Sequence, residues 1–304
     1  MHPRPRSGGM ACLDEASRPG HTLAVALVPF PRKIMSIAWA NGRIVQPNMP
    51  AVFKLLSLNV RNGGGTRVAA ICQFLGSHKP DVIVLTEWRE GTSGRNFMEW
   101  INSQGLLHNA TLNDGSTANG VCLAARIPFQ IGTMTPHDST PGVLMLACFQ
   151  SWTLLASYFP QRARFFTACA EIAAAHAATP FVIVGDLNTG NQLVDKSAGG
   201  APYFCAEGFD ALTSRASLVD LWRRTNGTDA REWTWLSNQN GFRIDHAFGN
   251  EPVVRLVQPS CIYDHRPREE NITDHSALII TGRFMSERRE TIVSGPNDIV
   301  GRTG

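Results

Sequence analysis

Long apolar runs are absent from this 304-residue sequence. No stretch approaches the roughly 18–20 residues a membrane-spanning helix requires, and the longest candidate near the start, residues 23–30, is interrupted by Pro29. A secretory signal is not expected either, because that short stretch follows Asp14 and Glu15 and no clean small-residue cleavage site comes after it. C-x-x-C pairs are absent: the seven cysteines (Cys12, Cys72, Cys122, Cys148, Cys169, Cys205, Cys261) are scattered, odd in number and mostly set in apolar contexts. That usage argues against a disulfide framework or zinc site and for free thiols in a reducing, cytoplasmic setting. Charge is sparse, at 17% of residues against 43% hydrophobic, which excludes wholesale disorder.

The net charge of +3 is not spread along the chain. Residues 1–50 hold six basic and two acidic groups, whereas the remaining 254 residues hold 22 basic and 23 acidic ones. The basic excess therefore belongs to a Pro-, Arg- and Gly-rich N-terminal extension, expected to be poorly ordered. The body carries no overall electrostatic signature of a polyanion binder. Regular patterning begins at Phe53, which sets the expected domain at 51–284, a polar tail at 285–304, and Met49 or Met35 as candidate start residues.

What is present is an alternation of strands and helices. Strand-like runs fall at 53–59, 81–86, 121–125, 143–149, 153–159 and 181–185. The spacing of Val68, Ile71, Cys72 and Leu75 predicts a helix after a Thr66 cap, and an Ala-rich helix is expected over 164–177. The last third reads as mainly strand, with runs at 233–236, 242–248, 253–257 and 277–281. Mixed elements without strict alternation imply sheets with helices outside them.

Several strands terminate in acids or amides between apolar neighbours: Leu58-Asn59-Val60, Thr86-Glu87-Trp88, Gly185-Asp186-Leu187-Asn188, Arg243-Ile244-Asp245-His246 and Thr273-Asp274-His275. One such residue is an ordinary turn former. Five gathered at one edge would make a cluster of hard oxygen donors with one imidazole, a set suited to Mg²⁺ or Mn²⁺ rather than zinc. His246 should face away from that cluster, on the opposite side of its strand from Asp245.

The order of these motifs, together with Tyr158-Phe159-Pro160, resembles the endonuclease/exonuclease/phosphatase superfamily over roughly residues 53–283, closest to its exonuclease III and apurinic endonuclease branch. The resemblance implies an α/β four-layer sandwich of two facing mixed β-sheets flanked by helices. It implies a metal-dependent phosphodiesterase or endonuclease that hydrolyses DNA by in-line attack of water, with one or two Mg²⁺ or Mn²⁺ ions, acting as a monomer. In that frame Glu87, Asp274 and Asn59 serve the metal, Asn59 also orienting the catalytic Asp. Asp186 handles the water, Asn188 and Tyr158 contact the phosphate, and Asp245 pairs with His275. Arg162 is placed to meet a backbone phosphate, and Trp235 and Phe242 resemble aromatics beside an abasic-sugar pocket. Two departures stand out. Arg61 occupies a position where the branch often carries an acid or amide, and the segment between Trp235 and Asp245 is short. The same fold also hosts phosphoinositide, nucleotide and sphingolipid esterases and non-catalytic binding relatives, which remain the alternative readings.

Overall fold

A strand with apolar residues on both its faces must be covered on both, and the run Phe53–Asn59 is buried at six of its seven residues. In the computed structural model, which describes residues 52–113, 118–134, 143–159, 163–238 and 240–283, two stacked sheets provide that cover. The strands in the first half are β1 (Phe53–Asn59), β2 (Val82–Trp88), β3 (His108–Leu112), β4 (Gly120–Ala125), β5 (Gln130–Met134), β6 (Val143–Cys148) and β7 (Thr153–Tyr158). Those in the second are β8 (Phe181–Asp186), β9 (Val219–Asp220), β10 (Trp235–Ser237), β11 (Asn240–Phe242), β12 (Asp245–Gly249), β13 (Ser260–Asp264) and β14 (Ala277–Gly282). The helices are α1 (Val68–His78), α2 (Thr92–Ser103), α3 (Ala163–Ala175), α4 (Ala206–Ser214), α5 (Leu221–Asn226), α6 (Glu251–Leu256) and α7 (Arg266–Glu269).

One six-stranded sheet runs β13-β14-β1-β2-β4-β3 and the other β5-β6-β7-β8-β12-β9, with β10 and β11 forming a separate hairpin. Both sheets are mixed, since β1 pairs parallel with β2 and β7 with β8 while the other neighbours are antiparallel. The period of two sorts every strand between layers. Phe53, Leu55, Val82, Val84, Leu154, Ala156, Val182, Val184 and Ala247 fill the space between the sheets. Leu56, Leu58, Ile83 and Leu85 turn outward onto α1 and α2, and Leu155, Ile183 and Phe248 turn onto α3 and α4. The result is the expected four-layer sandwich.

Two parts of the last third differ from their sequence pattern. Residues 253–257 read as a strand but lie in α6 and its C-terminal cap, because Asn250 caps its N-terminus by accepting from the Val253 N–H and Pro252 occupies the first turn. The 242–248 run is divided into β11 and β12 at Arg243-Ile244, whose backbone N–H groups bond to the Asp195 carbonyl and the Thr234 hydroxyl instead of continuing one ladder. Thr66 lies inside a short 3₁₀ turn and supplies no side-chain cap to α1. The described cysteines form no disulfide. Among the described residues no helix is long and apolar enough to cross a membrane.

Asn250 joins three elements: its Oδ1 accepts from Phe181 N at 3.0 Å and Val253 N at 3.2 Å, and its Nδ2 donates to the carbonyls of His176 and Thr179. Asn250→Ala removes a helix cap and leaves buried backbone groups unpaired, so the protein should lose about 2–3 kcal/mol. A urea melt should show a lower midpoint with unchanged slope; an unmoved midpoint would refute the cap's importance.

Candidate active site

The inward-facing rows of both sheets end in polar residues. Asn59 continues the row of Phe53 and Leu55, Tyr158 that of Leu154 and Ala156, and Asp186 that of Val182 and Val184. β12 runs antiparallel to β8 with Asp245 opposite Asp186, so the first residue of β12 reaches the same end as the last of β8. His275 just precedes β14, which is antiparallel to β1. Strict alternation would send Glu87 outward with Ile83 and Leu85. A bulge between Thr86 and Trp88, with Glu87 at φ +54°, turns its carboxylate back toward Asn59. Gly185 (φ +145°) is required beside Asp186, because a Cβ there would lie 1.9 Å from the Ser157 carbonyl oxygen.

Asn59 is buried and donates through Nδ2 to both Asp186 Oδ2 at 2.8 Å and Glu87 Oε1 at 3.1 Å, while its Oδ1 accepts from the Arg61 N–H at 2.8 Å. As oriented it presents N–H groups to both carboxylates and links them. The other Glu87 oxygen accepts from Asn62 N at 2.7 Å. Asp186 accepts from Asn188 N at 2.9 Å, and Asn188 anchors itself on the Phe159 carbonyl at 2.8 Å. His275 Nδ1 meets Asp245 Oδ2 at 2.8 Å in a buried pair.

The charges do not balance. Burial, then the neighbouring Asp245, pushes the Asp186 carboxyl up to about 7, against offsets from His275, the Asn188 N–H and the Asn59 amide. Burial alone would lower the His275 pKa, but the adjoining Asp245, with Asp186 and Asp274, raises it to about 10. Asp186, Asp245 and His275 offer polar atoms within 4.8 Å of one another, yet an imidazolium cannot ligate a cation. Asp245–His275 is therefore a charge pair, and the single imidazolium leaves Asp186 without a cation of its own. That lack, and the hard oxygen chemistry of the donors, fits a divalent cation.

Asp274 is partly exposed and directs its carboxylate to Arg61 Nε at 3.5 Å, so the residue that departs from the expected pattern at position 61 faces this acid. Trp235 and Phe242 sit 5.7 Å apart in the β10–β11 hairpin, and Trp235 bridges to His275 through the backbone. Arg162 lies outside the described residues. His246 faces the outer layer, buried against Phe209 and Phe248 with Nε2 on the Thr189 carbonyl. Sequence reading missed Thr273, whose hydroxyl holds the Asn59 carbonyl at 2.8 Å, and Asn119, whose amide meets the Tyr158 hydroxyl. Asn119 was legible by one rule, since a polar residue just before a strand lies at the same edge as one closing its antiparallel neighbour, here β2 with Glu87.

A family model described as the Endonuclease/Exonuclease/phosphatase family matches residues 56–275. Among solved structures the chain is similar to a 3′ phosphatase, NExo, from Neisseria bound to product DNA hairpin, with TM-score 0.63 and 18% identity over 77% of this chain and all of that one. It is also similar to a 3′-5′ exonuclease (NExo) from Neisseria meningitidis, with TM-score 0.62, 19% identity and the same coverage. No curated protein matches the sequence.

NMR titration of the histidine side chains should find His275 still protonated well above its ordinary value of 6.5. In Asp245→Asn the ring keeps its burial and loses its largest counter-charge and hydrogen-bond partner, so its pKa should fall well below that of the unmutated protein. An ordinary titration of His275 in the unmutated protein would overturn the charge-pair assignment.

Proposed function

Because this chain belongs to the endonuclease/exonuclease/phosphatase family, we propose that it is a divalent-metal-dependent phosphodiester hydrolase acting on DNA, in the manner of the exonuclease III and apurinic endonuclease branch. The observation that carries the reading is the meeting of Asp186 with the Asp245–His275 pair, linked by Asn59 to Glu87. The DNA assignment draws on Tyr158 at the end of β7 and on the Trp235–Phe242 pair beside His275.

Glu87, with Asp274, would hold Mg²⁺ or Mn²⁺, as one ion or two; when bound, it supplies positive charge to a phosphate oxygen or to the leaving alkoxide. Asp186 accepts the proton of the attacking water, and a carboxyl raised toward neutrality is suited to that task. The Asn59 amide and the Asn188 N–H fix the two Asp186 oxygens, so the base cannot rotate away. The Asn188 side-chain amide, steadied at the Phe159 carbonyl, would meet a phosphate oxygen. Tyr158 donates its hydroxyl proton there, and the buried imidazolium of His275 neutralises charge gathering on phosphorus-bound oxygen. Attack is in line by water, with no covalent enzyme intermediate.

One cleavage panel with Mg²⁺ tests the proposal: abasic duplex, intact duplex, single-stranded DNA, RNA and an inositol phosphate. DNA cleavage abolished by chelator is expected. Asp186→Asn should lose about a thousandfold in turnover while staying folded. Cleavage of the inositol compound alone would overturn the DNA assignment, an outcome the near-neutral body keeps in view. No metal-dependent turnover on any substrate, or full activity in Asp186→Asn, would overturn the hydrolase reading.

A further inference from the structure

A phenol hydroxyl both donates and accepts, and only as a donor does it neutralise charge on a phosphate. Which role Tyr158 plays is set by its neighbours. Asn119 donates from Nδ2 to the Tyr158 hydroxyl oxygen at 3.2 Å, which engages that oxygen as an acceptor and leaves its proton for another partner. A side-chain amide can flip, however, and a flipped Asn119 would present Oδ1 and capture the phenol proton. Arg89 blocks the flip. Its Nε donates to Asn119 Oδ1 at 2.7 Å, and a guanidinium has no acceptor to offer a reversed amide.

The same guanidinium extends the chain of contacts to the carboxylate side of the site. Arg89 Nη2 donates to Asn62 Oδ1 at 2.5 Å, and the Asn62 N–H holds Glu87 Oε2 at 2.7 Å. The glycine run after Asn62 makes room for this crossing. A Cβ on Gly63, which has φ +72°, would meet the Arg89 Cβ at 2.8 Å. Arg89 and Glu87 extend from β2 and Asn119 precedes β4, all in the first sheet, whereas Tyr158 closes β7 in the second. The contacts therefore span the gap between the sheets.

We infer that Arg89, acting through Asn119, is a positioning residue that fixes Tyr158 as a hydrogen-bond donor toward the substrate phosphate and ties it to the loop holding Glu87. The inference deepens the functional reading above and rests on it for the identity of the phosphate. No proton moves along the contacts, which only set orientation.

The full chain has three tyrosines, so ¹³Cζ-tyrosine labelling gives three signals, and Tyr158→Phe identifies the relevant one. Asn119→Ala and Arg89→Met should each shift it, and Arg89→Met should add nothing in the Asn119→Ala background. In turnover, each single variant should lose about tenfold in kcat with KM within about twofold, and Tyr158→Phe about a hundredfold. Introduced into Tyr158→Phe, neither variant should cost more than about twofold further. Asn119→Ser repeats the arms if the alanine variant fails to fold. A shift from Arg89→Met that persists without Asn119 means Arg89 acts by charge alone and overturns the relay; equal kinetic losses with and without the phenol also overturn it. Shifts as expected in a protein that cleaves nothing in the panel would sustain the fixed phenol and defeat the functional reading instead.

Discussion

Burial on both faces of the central strands is the constraint from which the rest follows. A strand such as β8, covered by the first sheet on one side and by α3 on the other, has no solvent-facing position over Val182–Val184. A polar side chain in such a strand is admitted only where the sandwich ends and a partner awaits it. The period of two then decides which polar residues look into the gap between the sheets. Asn59, Tyr158, Asp186 and Asp245 all continue inward rows. Mixed strand directions put the ends of β1, β2, β7 and β8 and the beginning of β12 at one edge. The cluster is thus a consequence of layer packing, with a single local adjustment, the bulge at Glu87.

Among the described residues, two buried groups of acids stand in contrast. Asp195 and Asp220 face Arg243, which bonds the former at 2.6 Å and the latter at 2.5 Å and lies 4.8 Å over the Trp222 ring. Arg223 also pairs with Asp195. Two acids meet two guanidinium groups. Burial alone would raise the Asp195 carboxyl, but the arginines help to hold it below its ordinary value. Tyr263, which Arg243 contacts, holds the Asp245 carbonyl at 2.6 Å, so this closed set braces the strand that carries the site. At Asp186 and Asp245 a single imidazolium serves two carboxylates, and Asp186 is raised instead. Closed networks of buried charge serve structure; an open one is prepared for something that arrives with positive charge.

The mixed strands and helices and the polar strand ends were legible because they rest on local periodicity, whereas the four-layer plan followed from the order of the motifs and the family they resemble. The inward turn of Asp245 and the outward turn of His246 follow from alternation alone. The errors fall where a cap or a buried charge overrides pattern. Val253-Val254 carry strand-forming side chains, yet the Asn250 cap and Pro252 commit the segment to a helix before the apolar pair is reached. Arg243 interrupts an otherwise continuous apolar run because Asp195, forty-eight residues away, receives both its backbone N–H and its side chain. The amide orientation of Asn59 and the contacts of Asn119 and Arg89 depend on partners drawn together from separate strands, and no spacing within one segment encodes them.

In the proposed function, chemistry and substrate selection are built on different kinds of structure. The acids, the imidazole and the phenol stand on or beside strand ends, whose geometry the core enforces, whereas the aromatics stand on the short hairpin of β10 and β11. Loops and hairpins vary without disturbing the layers beneath them, so a sandwich is shared even at 18% identity. Here the hairpin is not independent of the strand ends. The Trp235 backbone bridges to His275, and the Thr234 hydroxyl accepts the N–H groups of Ile244 and Asp245. A ligand that displaced Trp235 would pull on both members of the Asp245–His275 pair. The β10–β11 hairpin is therefore coupled, through backbone contacts, to the Asp245–His275 pair to which the proposed function gives the stabilisation of charge on phosphate.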